Sequence, residues 1–246
     1  MSVKKKAVHM VLQGKGGVGK SLIAALIAQL MRDAGQVPVC VDTDPVNATL
    51  SGYEELAVKR INLMEGDEIN TRRFDDLIEI IAASGSDIVV DNGAATFVPL
   101  SHYLISNGVP SLLQAMDREL VIHTVITGGQ AIFDTLHGFA ELAKHFPEPT
   151  KFVVWLNPYW GNIEAEGKSF QEMKAYKENK GRVAALIEIP QQKEDTFGRD
   201  FSELLSRKDT FSKALEGAAL PIMQRQRLKI IKDQLYKAMQ TSAVFS

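Results

Sequence analysis

This sequence has a single cysteine, a net charge close to zero and no long apolar segment. The single cysteine, Cys40, cannot form an internal disulfide or provide a cysteine-rich metal site, and its apolar neighbours predict a buried strand residue. A formal charge of −2 gives no overall positive field, so contact with nucleic acid would need a local basic patch. No apolar segment approaches the length that crosses a bilayer, and we therefore expect a cytoplasmic protein without stable membrane insertion.

Short β-branched segments alternate with longer helical patterns along the 246 residues. This alternation predicts an α/β fold with a doubly wound, mostly parallel sheet and helices on both faces, forming a single domain over residues 1–246. The strand candidates are residues 7–13, 37–42, 87–92, 119–127, 151–157 and 182–190. The helix candidates are residues 20–34, 72–83, 97–106, 130–146 and 169–180, whereas 158–170 and 191–200 are expected to be irregular.

A closing amphipathic helix is predicted at about residues 221–240, after Pro221. Its apolar positions recur at helical spacing and are Leu228, Ile231, Leu235 and Met239. Its basic residues are Arg225, Arg227, Lys229, Lys232 and Lys237. Contact with DNA or with an anionic membrane would use these charges, whereas a helix packed on the sheet would expose them to solvent. We favour the packed helix.

Residues 13–21 read QGKGGVGKS and fit two phosphate-binding patterns at once. The glycine spacing matches the dinucleotide pattern G-x-G-x-x-G, and Gly14 to Ser21 match the P-loop pattern G-x-x-x-x-G-K-[ST]. Only a P-loop uses both Lys20 and Ser21, because the lysine reaches the β- and γ-phosphates and the hydroxyl binds Mg²⁺. The P-loop interpretation is therefore favoured. Its predicted nucleotide-binding residues are Gly14, Gly16, Gly17, Val18, Gly19, Lys20, Ser21 and Leu22.

Three aspartates stand at or just after the ends of predicted strands. Asp91 ends an apolar strand, which is the arrangement that brings a carboxylate to the metal beside a P-loop. Asp42 and Asp44 are two positions apart and would share one face if their strand stays extended. Because the carboxyl ends of parallel strands converge on the ligand-binding crevice, we expect all three near the phosphates. A solvated aspartate is the alternative for each one taken alone.

Lys15 indicates which family of P-loop proteins this sequence resembles. The stretch KGGVGKS resembles the deviant Walker A motif of the ParA/MinD-type ATPases, in which an extra lysine opens the loop. The resemblance implies ATP and Mg²⁺ as cofactors and a homodimer formed around ATP. It also implies that Lys15 contacts the nucleotide of the partner subunit and acts as an arginine finger does, so that hydrolysis depends on dimer formation.

Further motifs of that family have counterparts here. The stretch VDTDPVNAT resembles switch I and implies that Asp44 positions the attacking water and the outer shell of Mg²⁺, while Asp42 supports the site. The stretch VVDNGA resembles the Walker B and switch II segment, with Asp91 near the metal. The implied catalytic residues are Lys15, Lys20, Asp44 and Asp42, and the implied metal-binding residues are Ser21, Asp44 and Asp91.

The adenine side of the site is implied by two shorter segments. The strand VVWLN ends in Asn157, which by resemblance contacts the adenine, and Ile189 and Pro190 by resemblance flank the base. An Asn-Pro turn at a strand end is the alternative for Asn157. The nearby aromatic residues could shape a base pocket, a partner surface or the core, and they are Trp155, Tyr159 and Trp160.

Two departures from the family pattern affect the switches. Switch I lacks the usual Gln and Gly after Pro45, and switch II lacks the usual proline-rich turn, so slow or partner-dependent hydrolysis is expected. Stretches along roughly the whole chain, including HMVLQGKGGVGKS, FVPLSHYLISN and VVWLNPYWG, also resemble the TraL-type proteins of conjugative plasmids. That resemblance implies a role in conjugal DNA transfer and a partner protein from the conjugation machinery, with direct DNA contact possible.

Two other functions are alternatives to this interpretation. A small-molecule kinase or ligase would need an arginine-rich lid, which residues 158–200 do not show, and a scaffold that binds ATP without hydrolysis is also an alternative. Nitrogenase-like reductases are excluded because they need paired cysteines.

Gly128 and Gly129 fit an ordinary turn better than a second anion site. The histidines His102, His123 and His137 share no metal-ligand spacing and are expected to be structural.

Overall fold

Seven parallel strands form the central sheet of this computed structural model, which describes residues 5–217 and 219–245. The strands are β1 (Lys6–Val11), β2 (Val39–Asp42), β3 (Lys59–Arg60), β4 (Met64–Glu65), β5 (Glu68–Ile69), β6 (Ile88–Asp91), β7 (Arg118–Thr127), β8 (Lys151–Asn157), β9 (Glu164–Ala165), β10 (Lys168–Ser169) and β11 (Val183–Glu188). The order across the sheet is β11-β8-β7-β1-β6-β2-β3, and β4-β5 and β9-β10 are separate antiparallel hairpins. All six strand candidates are confirmed.

Helices cover both faces of the sheet. They are α1 (Lys20–Asp33), α2 (Phe74–Ala83), α3 (Phe97–Ser106), α4 (Val109–Ala115), α5 (Ile132–His145), α6 (Lys174–Asn179), α7 (Arg199–Arg207), α8 (Phe211–Glu216) and α9 (Ile222–Gln240). Strand β6 shows how the faces divide, because Val89 packs in the cluster with α1 and α9 whereas Ile88 and Val90 pack with α2, α3 and α4. Burial on both faces explains the continuous apolar strand segments, and the doubly wound α/β prediction is confirmed.

The closing helix α9 is also confirmed. Its four predicted apolar residues are Leu228, Ile231, Leu235 and Met239, and each is at most 2% exposed. Two of its basic residues pair with acidic residues of other helices, Arg227 with Asp200 and Lys232 with Asp33. Part of the basic character therefore serves packing within the chain. Among the described residues, no helix combines the length and apolar character needed to cross a membrane.

The expected core position of Cys40 is confirmed. The residue is 1% exposed, and burial raises the pKa of its thiol to about 11. A thiol with so high a pKa carries little thiolate near neutral pH.

The segments expected to be irregular contain short ordered elements. Residues 158–160 form a 3₁₀ turn that is followed by the β9-β10 hairpin, and residues 194–198 form a π-helical turn before α7. The candidate helix at 169–180 is divided, because Met173 has an extended backbone (φ −72°, ψ 150°) between a 3₁₀ turn and α6. Helices α4, α7 and α8 were not among the candidates, and the first and last of these span only seven and six residues.

The three aromatic residues around Asn157 do not form one cluster. Trp155 is fully buried in the sheet and donates a hydrogen bond from Nε1 to His123 Nδ1 at 3.0 Å. Tyr159 and Trp160 are 73% and 56% exposed and form an edge-to-face pair with ring centroids 5.0 Å apart. The strand therefore separates a core tryptophan from an exposed aromatic pair.

His123 belongs to a buried hydrogen-bond chain. Because Trp155 Nε1 can only donate, His123 Nδ1 accepts, and the proton of His123 lies on Nε2, from which it is donated to His9 Nδ1 at 2.9 Å. Burial, with a smaller effect of His9, holds the pKa of His123 well below its usual value. His123 thus has the structural role expected from the sequence.

Candidate functional site

The loop between β1 and α1 has a backbone conformation that depends on glycine. Gly17 and Gly19 have φ angles of +73° and +101°, in the left-handed region that other residues rarely adopt. A Cβ on Gly19 would also lie 2.9 Å from Asn157 Nδ2. The loop leads directly into the N-terminus of α1, where free backbone N–H groups favour a bound anion. Its exposed residues are Gly14, Lys15, Gly16 and Gly17, and its buried or half-buried residues are Val18, Gly19, Lys20, Ser21 and Leu22.

Gln13 anchors the start of this loop, a role that sequence reasoning missed. Its Nε2 donates to the carbonyl groups of Val125 at 2.9 Å and Thr135 at 3.1 Å, while its Oε1 accepts from the N–H of Gly14 at 2.8 Å. Gly138 on α5 leaves space for this side chain, because a Cβ there would lie 2.3 Å from Gln13 Oε1. A fully buried amide therefore connects the loop to β7 and α5, and the only sequence signal was a polar residue closing an apolar strand.

The two loop lysines lie in different environments. Lys20 is 8% exposed, and its Nζ donates to the carbonyl of Lys15 at 2.8 Å. Burial lowers the pKa of Lys20, and the negative charges of Asp91 and Asp44 counteract that effect. Lys15 is exposed, and its Nζ pairs with Asp134 Oδ2 on α5 at 2.8 Å. Lys20 therefore points into the loop, whereas Lys15 extends along the surface.

Asp91 and Asp42 are register partners at the carboxyl ends of β6 and β2. Asp91 is 1% exposed, and neither of its carboxylate oxygens has a hydrogen-bond partner within the described residues. Burial raises its pKa to about 7, and the nearby Ser21 hydroxyl opposes this rise without forming a hydrogen bond of normal geometry. A buried carboxylate of this kind is costly unless a cation or donor satisfies it, which makes Asp91 the candidate metal ligand of this site.

Asp42 organises the segment after β2. Its Oδ1 accepts from the N–H of Asp44 at 3.0 Å, and its Oδ2 accepts from both the N–H and the hydroxyl of Ser51 at 3.0 Å. Strand β2 ends at Asp42, and the carboxylate of Asp42 is used within the chain by these hydrogen bonds. Asp42 therefore shapes the segment that carries Asp44.

Asp44 lies against the segment that follows Asp91. Its Oδ1 accepts from the N–H groups of Val46 at 2.9 Å and Asn47 at 3.0 Å. A Cβ on Gly93 would lie 2.6 Å from Asp44 Cγ, so only a glycine at that position allows the carboxylate to approach. The segments after β2 and β6 are thereby brought together, and no local sequence pattern indicated this role of Gly93.

Hydrogen bonds also join these two segments directly. The hydroxyl of Thr43 donates to the carbonyl of Asp91 at 2.9 Å and to Asn92 Oδ1 at 3.1 Å. The hydroxyl of Thr96 donates to the same Asn92 oxygen at 2.7 Å. All four residues are at most 1% exposed, so a movement of one segment would be transmitted to the other.

The chemistry of this edge of the sheet fits Mg²⁺. Carboxylate and hydroxyl oxygens are the ligands that Mg²⁺ prefers, and Asp91, Asp44 and Ser21 present such oxygens beside the loop. The unpartnered oxygens of Asp91 would gain the partners that they lack. Within the described ranges, no group of three His, Cys, Asp or Glu side chains is arranged to hold a metal ion alone. Mg²⁺ in proteins usually has only one or two carboxylate ligands, with phosphate oxygens and water in the other positions.

Asn157, Ile189 and Pro190 lie at the ends of β8 and β11, which are adjacent strands. Asn157 is 7% exposed, its Nδ2 donates to the carbonyl of Val18 at 2.9 Å, and its Oδ1 accepts from the N–H of Tyr159 at 3.2 Å. Ile189 is buried and Pro190 is half-buried. The structure thus brings Asn157 to the loop, and contact of these three residues with a base stays a prediction.

A protein-family model described as the CobQ/CobB/MinD/ParA nucleotide binding domain matches residues 9–197. The chain belongs to this family. The matched part of this family member contains the glycine-rich loop, all three aspartates and Asn157, so the family assignment and the geometry concern the same edge of the sheet. The ParA/MinD resemblance inferred from the sequence is confirmed.

Two curated proteins from Escherichia coli, both described as Protein TraL, are each 62% identical to this family member over 237 residues. The alignments cover 96% of this chain and 98% of each relative, and they confirm the TraL resemblance. Among solved structures, the MinD cell division protein of Aquifex aeolicus aligns with a TM-score of 0.51 and 16% identity, covering 97% of this chain and 98% of that one. A chain of the MinC:MinD complex of the same organism aligns with a TM-score of 0.52 and 15% identity, covering 97% and 96%. At such identities the structural matches show the fold alone.

Proposed function

We propose that this protein is an ATPase that binds ATP with Mg²⁺, dimerises around the nucleotide and acts as a nucleotide-dependent switch in plasmid conjugal DNA transfer. The observation that carries the proposal is Asp91, a buried carboxylate with unpartnered oxygens beside a P-loop. Such a group is costly in a fold that has no cation to place there. The family assignment and the similarity to TraL supply the biological setting.

The phosphates would be bound by the loop and by Lys20. The backbone N–H groups at the start of α1 supply hydrogen-bond donors, and the left-handed glycines allow the loop to curve around an anion. Lys20 now donates to the carbonyl of Lys15, and a phosphate oxygen would be a stronger, charged acceptor for the same ammonium group. Burial of Lys20 strengthens that interaction because water screens it little.

Asp91, Ser21 and Asp44 would hold Mg²⁺, which would neutralise negative charge on the phosphates. Asp44 is the residue we assign to orient the attacking water, because its carboxylate lies where the segments after β2 and β6 meet. Asp42 holds this segment in place through Asp44 and Ser51. Hydrolysis would therefore change both segments together, which is what a switch requires.

Lys15 is the residue we assign to act across the dimer. It is exposed and paired with Asp134 in the single chain, and a surface ion pair of this type is weak enough to be exchanged for a phosphate. Hydrolysis would be slow in the monomer, since the second positive charge arrives only with the partner subunit. A conjugation-machinery protein would read the dimeric state, and this role rests on the similarity to TraL.

Direct DNA contact through α9 has weaker support. Arg227 and Lys232 are paired with Asp200 and Asp33, so two of its five basic residues are engaged within the chain. Charge reversal at Arg225 and Lys229, with salt-dependent DNA binding as the measurement, would test the remaining surface.

The molar mass in solution tests the switch. Light scattering would compare the protein without nucleotide, with ADP and with ATP plus Mg²⁺, using Asp44→Ala to hold the state before hydrolysis and Lys20→Ala as the control for loop binding. A dimer that forms only with ATP supports the proposal. Absence of nucleotide binding by calorimetry would contradict it, and tight binding with turnover equal to that of Lys20→Ala would favour a scaffold that does not hydrolyse ATP.

A further inference from the structure

The segment 157–163, which begins at the last residue of β8, contacts the backbone of the P-loop. The indole Nε1 of Trp160 donates to the carbonyl of Gly17 at 3.2 Å. One residue further along the loop, the carbonyl of Val18 accepts from Asn157 Nδ2 at 2.9 Å. Two successive carbonyl groups of the P-loop are therefore held by side chains that lie three positions apart in one segment.

These two hydrogen bonds fix the orientation of peptide planes. In a trans peptide the C=O and the following N–H point in opposite directions within one plane. A bond to the Gly17 carbonyl therefore sets the direction of the Val18 N–H, and a bond to the Val18 carbonyl sets the direction of the Gly19 N–H. Since Gly17 and Gly19 have positive φ and no side chain to restrict them, an external constraint on these planes has a large effect.

Gly128 and Gly129 pack closely against the backbone of this segment. A Cβ on Gly128 would lie 2.3 Å from the carbonyl oxygens of both Gly161 and Asn162, and a Cβ on Gly129 would lie 2.6 Å from the carbonyl oxygen of Trp160. The two glycines thus allow direct backbone packing of the segment against the turn after β7. This contact explains why glycine is needed at both positions, which the sequence pattern did not show.

Packing in the core does not explain why a tryptophan stands at position 160. Its side chain is 56% exposed, in contrast to the fully buried Trp155, although exposure of a large aromatic surface to water is unfavourable. Its defined contacts are the edge-to-face pair with Tyr159 and the hydrogen bond to Gly17. The hydrogen bond to the P-loop therefore distinguishes Trp160 from an ordinary exposed aromatic residue.

We infer that Trp160 is a positioning residue for phosphate binding, which acts by orienting the peptide between Gly17 and Val18 so that its N–H faces the bound phosphate. The inference rests on the proposed function, because it assumes that the loop binds a nucleotide. Trp160 acts here through the backbone of the loop and makes no contact with the base. The expected ligand is thus any Mg²⁺-bound diphosphate group, with or without a nucleoside.

The test compares Trp160→Phe, which keeps an aromatic ring and removes the N–H, with Tyr159→Phe as the control, which removes a hydroxyl and keeps the ring that packs on Trp160. The ligands are Mg²⁺-ADP and Mg²⁺-pyrophosphate, with affinities measured by calorimetry. Loss of one neutral hydrogen bond should weaken both ligands by about three- to tenfold, whereas Tyr159→Phe should stay within about twofold of the parent. The thermal midpoint without ligand should change little, because Trp160 is exposed.

Fluorescence gives a second readout. The chain has two tryptophans, of which Trp155 is buried, so a change in emission on adding pyrophosphate should disappear in Trp160→Phe. Gly129→Ala, which displaces the Trp160 carbonyl, should weaken pyrophosphate in the same direction.

Three results would overturn the inference. Equal affinities of Trp160→Phe and the parent for both ligands would do so while leaving the proposed function intact. A loss for Mg²⁺-ADP alone would indicate a base contact instead. A parent protein that binds neither ligand would contradict the proposed function and the inference with it.

Discussion

Two buried aspartates, Asp200 and Asp91, differ in the hydrogen-bond partners that this fold gives them. Asp200, in the C-terminal helical layer, is 7% exposed and forms a hydrogen-bonded ion pair with Arg227. Asp91, at the carboxyl edge of the sheet, is 1% exposed, and the described part of the chain offers neither of its oxygens a hydrogen bond. A paired charge is compatible with a purely structural role, whereas an unpaired one requires another reason. The comparison therefore separates a packing contact from a candidate ligand position.

The largest effect is expected from Asp91→Asn. Under the proposed function, the neutral amide should remove Mg²⁺-dependent nucleotide binding, because the carboxylate assigned to the metal is lost. In the protein without Mg²⁺ or nucleotide, the same change should raise the free energy of unfolding by about 1–3 kcal/mol, since an unpartnered buried charge is removed. Denaturant unfolding and calorimetry measure the two effects. A less stable variant with unchanged Mg²⁺-ADP affinity would show that Asp91 is structural.

The matched change at the other site is Asp200→Asn. Here the ion pair with the partly exposed Arg227 is broken, and the free energy of unfolding should fall by about 1–3 kcal/mol, less than for a fully buried pair. Nucleotide affinity should remain that of the parent, since Asp200 is far along the chain from the loop and pairs with α9. If Asp200→Asn impaired nucleotide binding as strongly as Asp91→Asn, the distinction between the two aspartates would fail.

A smaller effect concerns His123, which is buried and paired in its neutral form. Its folded pKa lies well below the unfolded value of about 6.5, so the unfolded state binds a proton first as the pH falls. The stabilisation by the neutral imidazole is therefore fully present above about pH 6.5 and is lost progressively below it, by about 1.4 kcal/mol per pH unit.

The difference in unfolding free energy between the parent and His123→Gln isolates this slope when it is followed from pH 7.5 to 5 at roughly half-unit intervals around the histidine pKa. Asp91, whose pKa is about 7, titrates in the same range with the opposite sign, and it is common to both proteins. His123→Gln removes the titrating imidazole, so its absolute stability falls but its stability relative to the parent should rise as the pH falls below about 6.5. His137→Gln, at an exposed position on α5, provides the control and should keep the slope of the parent. A slope unchanged in His123→Gln would assign the acid sensitivity to other groups.

The smallest effect is expected from Asp134→Asn, which removes the partner of Lys15. Both side chains are exposed, so the free energy of unfolding should change by less than about 1 kcal/mol. Under the proposed function, release of Lys15 should favour ATP-dependent dimerisation by up to about fivefold, a factor that corresponds to the same small energy. Light scattering over a range of protein concentrations gives the dimer dissociation constant. Lys15→Ala removes the lysine itself and should abolish the ATP-dependent dimer.

Sequence reasoning reached the main elements of this fold because their signals are local. All six strand candidates and the closing helix α9 are present, since β-branched segments and helical spacing within about twenty residues carry that information. Short elements were missed, including α8 with six residues and the two hairpins, because so few residues give no clear period. The division of the candidate helix at Met173 depends on one backbone conformation, which composition does not indicate.

The sequence by itself determined the fold class, the glycine-rich loop with Lys20 and Ser21, and the family, because these depend on residue types at fixed spacing. Tertiary structure alone decided which side chains support that loop. Gln13 meets Val125 across 112 positions and Trp160 meets Gly17 across 143, so no local pattern could reveal either contact. It also decided that Asp91 is left unpartnered, because burial and hydrogen bonding depend on every neighbouring element at once.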